Sequence, residues 1–186
     1  IAVSNASIIY VIDNSGSMSV YVDSFVDENG QVTTGTRLDR AKAELRRSIT
    51  QLPETFTFNV MFFDECVMTC WNGKQSASSE NKAAAFTWIN NVQPDGWTNT
   101  GLGVVTALGD KTNTSIVLLS DGAPNFMDCA MNYVGSYEQH RDLITGQNTQ
   151  GARIDCFGVG VATDQTARTF MQAVASDSGG TYVEIN

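Results

Sequence analysis

The chain has 186 residues, 42% of them hydrophobic, and carries 20 acidic against 11 basic side chains for a net charge of −9. That length and apolar content suffice for one full core, and nothing suggests a second domain, so residues 1–186 are taken as a single unit. The acidic balance argues against nucleic acid or an anionic membrane as a partner. No apolar run approaches a membrane span and no signal-peptide pattern is present, although a chain that starts at Ile1 is expected to be a processed or excised piece of a larger protein.

Ile8, Ile9, Tyr10, Val11 and Ile12 are five consecutive large apolar residues, the pattern of a strand buried on both faces at the centre of a parallel sheet. Open α/β sheets place their sites at the C-terminal ends of such strands. There Asp13, Ser15 and Ser17 offer one carboxylate and two hydroxyls on a turn that Gly16 keeps flexible. These are hard oxygen donors, suited to Mg²⁺, Mn²⁺ or Ca²⁺ rather than to a thiophilic metal. The same residue types are ordinary in turns and helix N-caps, so this segment alone leaves both readings open.

An insertion over residues 19–36 follows, in which Asn29-Gly30 between two short β-prone runs signals a hairpin. Its apolar residues Tyr21, Phe25 and Val26 are expected to be exposed, and its acidic run Asp23, Asp27 and Glu28 lacks calcium-loop spacing. Leu38, Ala41, Leu45, Ile49 and Leu52 then fall at helical spacing up to Pro53. The basic residues of that helix, Arg37, Arg40, Lys42, Arg46 and Arg47, are interleaved with Asp39 and Glu44 and suggest an exposed face.

A strand over residues 56–63 and a hairpin partner over 66–71 come next, then a helix over 79–92. Gly96-Trp97-Thr98-Asn99-Thr100-Gly101 precedes a short helix ending near Leu108. A second buried strand, Ile116 to Ser120, runs into Asp121-Gly122. An irregular stretch holding Pro124, Met127 and Cys129 leads to a helix over 137–145 that contains the single histidine, His140, expected to be solvated or capping. A strand over 154–159, a helix capped by Thr163 and ended by Gly179-Gly180, and a strand over 182–185 complete the chain. The alternation implies a doubly wound α/β fold: a mainly parallel sheet, one antiparallel edge strand, and helices on both faces.

Four cysteines remain. Cys66 and Cys70 would lie about 13 Å apart in an extended strand, so they pair with each other only across a turn. Cys156 lies in an apolar strand as a small hydrophobe, and Cys129 could bridge to any of the others. One disulfide or none is expected, and no pair has zinc-site spacing.

Together the Asp13-x-Ser15-x-Ser17, Gly96-x-Thr98-x-Thr100 and Asp121-Gly122 segments resemble the von Willebrand factor type A domain and its metal-ion-dependent adhesion site, in the order that family uses and over nearly the whole chain. The resemblance implies a Rossmann-like fold similar to integrin I domains. It also implies one divalent cation, Mg²⁺ ahead of Mn²⁺ or Ca²⁺. Ser15, Ser17 and Thr98 would offer hydroxyl oxygens to it, with Asp13 and Asp121 acting directly or through water. Asn14 has no ligand role in this reading. Trp97 stands where relatives often have Gly and, with Tyr21 and Phe25, is expected to shape the face that meets a partner.

The implied function is a metal-dependent adhesion or interaction module in which a partner's Asp or Glu completes the cation's coordination, in an extracellular, cell-surface or periplasmic setting. An intracellular assembly or chaperone-type module is the alternative, and a purely structural domain a lesser one. Enzymatic chemistry is not expected. There is no Gly-x-Ser-x-Gly elbow or phosphate loop, His140 stands in no motif, and Ser15 occupies the place where haloacid-dehalogenase-like phosphotransferases need a second aspartate.

Overall fold

The computed structural model describes residues 6–185. Its elements are β1 (Ser7–Asp13), a 3₁₀ turn (Gly16–Ser19), β2 (Tyr21–Val26), β3 (Val32–Thr36), α1 (Arg37–Gln51), β4 (Thr57–Phe63), β5 (Val67–Thr69) and β6 (Gln75–Ser76). They continue with α2 (Ser79–Asn91), α3 (Thr100–Leu108), β7 (Ser115–Ser120), α4 (Tyr137–Gln147), β8 (Arg153–Val159), α5 (Gln165–Asp177) and β9 (Tyr182–Ile185).

The main sheet runs β5-β4-β1-β7-β8-β9, with β6 also paired to β4. β1, β4, β7, β8 and β9 are mutually parallel, and the two short strands β5 and β6 pair antiparallel to β4 at one edge. The expected doubly wound sheet with an antiparallel edge is therefore present. From β1 the chain steps to β4 on one side, then returns past β1 to β7 and continues outward on the other. Strand order thus reverses beside β1, at the ends of β1 and β7 where open α/β sheets place their sites.

Alternation along β1 explains the two cores. Ile9 and Val11 face α3, α4 and α5 with Phe63, Val104, Leu108, Ile144, Phe170 and Met171. Tyr10 and Ile12 face α1 and α2 with Leu38, Leu45, Ile49, Phe62 and Ile89. Each fully buried side chain of this size contributes about 1.5–3 kcal/mol, so the central strand is held from both sides. Tyr10 satisfies its hydroxyl on Ser48 Oγ at 2.7 Å.

The expected hairpin is present as β2 and β3, with a five-residue loop in which Asp27 Oδ1 accepts from the amides of Asn29 and Gln31. Other expectations are corrected. Phe25, expected to be exposed, is buried, because a bulge between Val22 and Phe25 shifts the pairing and turns its side chain inward. The basic residues of α1 are not one solvated face. Lys42 is buried and donates to Val92 O at 2.5 Å, while Arg47 donates to the carbonyls of Val26 and Asp27 and so straps the hairpin to the helix. Asp164, not Thr163, caps α5 by accepting from Ala167 N at 2.9 Å, a place where a carboxylate also suits the helix dipole.

His140 is likewise not solvated. It is fully buried, and its Nδ1 accepts from Gly101 N at 3.1 Å, tying the start of α3 to α4. Burial pushes its pKa down to about 4. Among the cysteines left open by sequence, Cys66 and Cys129 form a disulfide with Cα atoms 4.7 Å apart. It joins the β4–β5 turn to the loop after β7 across 63 residues of sequence. Cys70 and Cys156 are free, and Cys156 is buried as expected.

Candidate metal-binding site

Asp13 ends β1 one step past the Ile12–Leu119 pair, so it lies beside Ser120 at the end of β7. It is fully buried. Its Oδ1 accepts from Ser15 N at 2.8 Å, which folds the following turn back over the strand end, and its Oδ2 accepts from Ser120 Oγ at 2.5 Å. Asp121, one residue further, accepts from Ser17 Oγ at 2.7 Å, and the Ser17 and Ser15 hydroxyls lie 3.2 Å apart. Four of the five ligand candidates are thereby linked by hydrogen bonds across 104 residues of sequence.

The fifth, Thr98, is brought to the same rim by its loop. Gly16 N donates to Gly96 O at 3.0 Å and Asp95 N to Asn14 O at 2.8 Å, so the 95–98 segment lies along the Asp13 turn. Gly96 has a φ of +67°, and a Cβ there would collide with the Glu65 carboxylate, which itself accepts from Trp97 N at 2.8 Å. The Thr98 backbone is held on both sides by Asn125: Thr98 N donates to its Oδ1 at 3.0 Å, and Thr98 O accepts from its N–H at 2.9 Å. Asn99 then caps α3 by accepting from Leu102 N. Asn14 points away from this cluster, donating to Gln93 O at 3.3 Å.

The electrostatics of the cluster are unbalanced. Burial first, and the facing Asp121 second, push the Asp13 carboxyl up to about 7, against the opposing pull of its hydrogen bonds from Ser120 and Ser15. Asp121 Oδ2 takes a guanidinium hydrogen bond from Arg37 Nη1 at 2.7 Å, and Arg37 Nη2 also donates to Gly160 O at 3.1 Å. Of the two enclosed carboxylates, Asp121 thus has a cationic partner and Asp13 has only hydrogen-bond donors. Among the described residues no group of three or more His, Cys, Asp or Glu side chains is placed to hold a metal. The donor set here is different in kind, two carboxylates with the hydroxyls of Ser15, Ser17 and Thr98, and it fits a hard divalent cation by charge and by ligand type.

Sequence reasoning missed Ser120 and Arg37. Ser120 directly precedes Asp121, a local signal, but only the β1–β7 register shows it beside Asp13. Arg37 carried no such signal, because its direction depends on where α1 sits against β7. Of the residues expected at the partner face, Trp97 is 52% exposed on the rim, its ring 5.3 Å from that of Phe126, and Tyr21 is 64% exposed at the base of the hairpin. Phe25 lies buried away from both.

A family model described as the von Willebrand factor type A domain matches residues 6–184. A comparison with curated protein sequences gave no significant match. Among solved structures, the pilus adhesin SpaC from Lactobacillus rhamnosus GG in its open conformation aligns with a TM-score of 0.72 and 14% identity over 100% of this chain and 28% of that one. The PilB minor pilin from Streptococcus sanguinis aligns with a TM-score of 0.70 and 19% identity, over 97% of this chain and 57% of that one. The BatB protein from Bacteroides thetaiotaomicron aligns with a TM-score of 0.65 and 15% identity, over 97% and 90% respectively. At these identities the likeness is one of fold.

Proposed function

The chain belongs to the von Willebrand factor type A domain family, and from that premise we propose that it is a metal-dependent protein-binding module. The observation that carries the reading is the convergence of Asp13, Ser15, Ser17 and Asp121 on one hydrogen-bonded cluster with two buried carboxylates facing each other. Ser15, Ser17 and Thr98 would hold the cation through hydroxyl oxygens, with Asp13 and Asp121 bearing the negative charge beside it. Mg²⁺ is the favoured ion, with Mn²⁺ or Ca²⁺ as substitutes. When bound, the cation supplies an electrophilic position that a partner's Asp or Glu carboxylate completes.

The chain's own groups support binding over turnover. Ser15 cannot serve as a general acid at neutral pH, and the His140 imidazole is buried with its Nδ1 engaged by Gly101. These groups favour a reading without hydrolytic or phosphotransfer turnover, which an assay of the purified chain on a phosphoester checks. Trp97 and Tyr21, exposed on or near the rim, are the side chains placed to meet the partner. A protein partner is also in keeping with two of the fold's neighbours, a pilus adhesin and a minor pilin.

The Cys66–Cys129 disulfide favours an oxidising compartment, hence a surface, secreted or periplasmic setting over an intracellular assembly role. No helix among the described residues is long and apolar enough to cross a membrane. Capture of surface proteins from the source cell on the immobilised chain, in Mg²⁺ and in EDTA, tests the reading. Retention of a partner in Mg²⁺ by the wild type, lost in EDTA and in Asp13→Ala, is expected. A partner held equally in all three conditions overturns metal dependence.

A further inference from the structure

Arg37 is the first residue of α1, where the helix dipole disfavours a cation, yet its guanidinium is largely enclosed at the rim. Three features hold it there. Nη1 pairs with Asp121 Oδ2 at 2.7 Å, and the Asp121 side chain is completely buried. Nη2 donates to Gly160 O at 3.1 Å. Gly160, at a φ of +63°, leaves the room: a Cβ at that position would come within 2.8 Å of Arg37 Nε. Upstream, Arg37 N donates to Val20 O, and Thr36 forms a capping box with Asp39, so the residue is fixed in direction as well as in place.

We infer that Arg37 is a resident counter-cation of the site, which neutralises Asp121 when no metal is bound and holds the affinity for a divalent ion down when one is. The inference rests on the metal-binding reading above. Asp121 Oδ2 faces Arg37 and Oδ1 faces Ser17, so a divalent cation held at this rim would draw on the same carboxylate as the guanidinium. Like charges on one carboxylate repel across a buried, weakly screened gap, so each weakens the hold of the other. Arg37 thereby does two things. It lets the domain fold around buried acids without metal, and it keeps the metal exchangeable.

The test is Mn²⁺ calorimetry on the purified chain as wild type, Arg37→Met and Arg37→Lys, with thermal unfolding in EDTA and in Mn²⁺. Arg37→Met is expected to bind Mn²⁺ at least tenfold more tightly. Its melting temperature should fall in EDTA, because Asp121 is left buried and unpaired, and should recover in Mn²⁺. Arg37→Lys, which keeps the charge, is expected to stay near the wild-type affinity. If Arg37→Met does not fold without metal, Arg37→Gln keeps a hydrogen-bond donor without the charge and carries the same expectation. Wild-type binding with unchanged or weaker affinity in the neutral variants, or an equal gain in Arg37→Lys, overturns the inference and leaves the metal reading standing. A wild type that takes up no Mn²⁺ overturns both.

Discussion

Asp13 and Asp121 at the rim and Asp27 and Glu28 at the tip of the β2–β3 hairpin are all acidic residues beside strands, but their oxygens are used in different ways. In the hairpin, Asp27 Oδ1 is taken up by the amides of its own turn, exposed to water, and Glu28 by Arg46 at 2.6 Å in a half-buried pair. At the rim, two carboxylates are enclosed together, and only Asp121 has a guanidinium beside it, while Asp13 is met by a hydroxyl and a backbone amide. An acid whose lone pairs are consumed by its own loop shapes that loop. Acids enclosed with too little positive charge suit a cation, and the proposed metal site rests on that contrast with a structural acidic run.

The strongest effect that sharpens this contrast is expected from the staple that the rim has and the hairpin lacks. Closing a loop of this length stabilises a domain by about 4 kcal/mol in the chain-entropy account, so Cys66→Ser with Cys129→Ser should lower unfolding free energy on that scale. Urea denaturation measures it, and a loss below about 1 kcal/mol would detach the disulfide from the rim's rigidity.

Next is His140, which braces α3 just after the Thr98 loop. Its folded pKa near 4 lies below the unfolded value near 6.5, so the unfolded chain takes the proton first. The stability it contributes is present at neutral pH and is lost as pH falls through that window, by up to about 3 kcal/mol. Denaturation at pH 7 and pH 4.5 should show this loss in the wild type and a shallower one in His140→Gln. Parallel profiles would contradict the burial argument.

The smallest effect tests the hairpin directly. Asp27→Ala removes two turn hydrogen bonds exposed to water and should cost about 1 kcal/mol, with Mn²⁺ affinity unchanged. A drop in metal affinity there would break the distinction between the two acidic regions.

The distinction was partly legible in the sequence. Asp13, Ser15 and Ser17 lie within one short segment after a buried strand and Asp121 follows a second, and the family resemblance is what joined the two strand ends into one site. The hairpin acids lack calcium-loop spacing, which sets them apart on equally local grounds. Arg37 could not be found this way, because helical spacing gives the phase of α1 but not the strand end its first residue meets. Phe25 was misplaced because a bulge breaks the alternation on which exposure was judged. His140 sits four residues before the buried Ile144 on the same helix face, a signal outweighed by its polar neighbours. The disulfide joins two loops whose proximity only the tertiary fold creates.

The central claim is that the rim binds one divalent cation through these residues. Calorimetric titration of Mn²⁺ into the wild type and Asp13→Ala at pH 7.5, with melting temperatures to confirm that both are folded, tests it most directly. The account predicts a single site in the wild type and an affinity at least a hundredfold weaker in the variant. Equal binding in the two folded proteins, or none in the wild type, would contradict it.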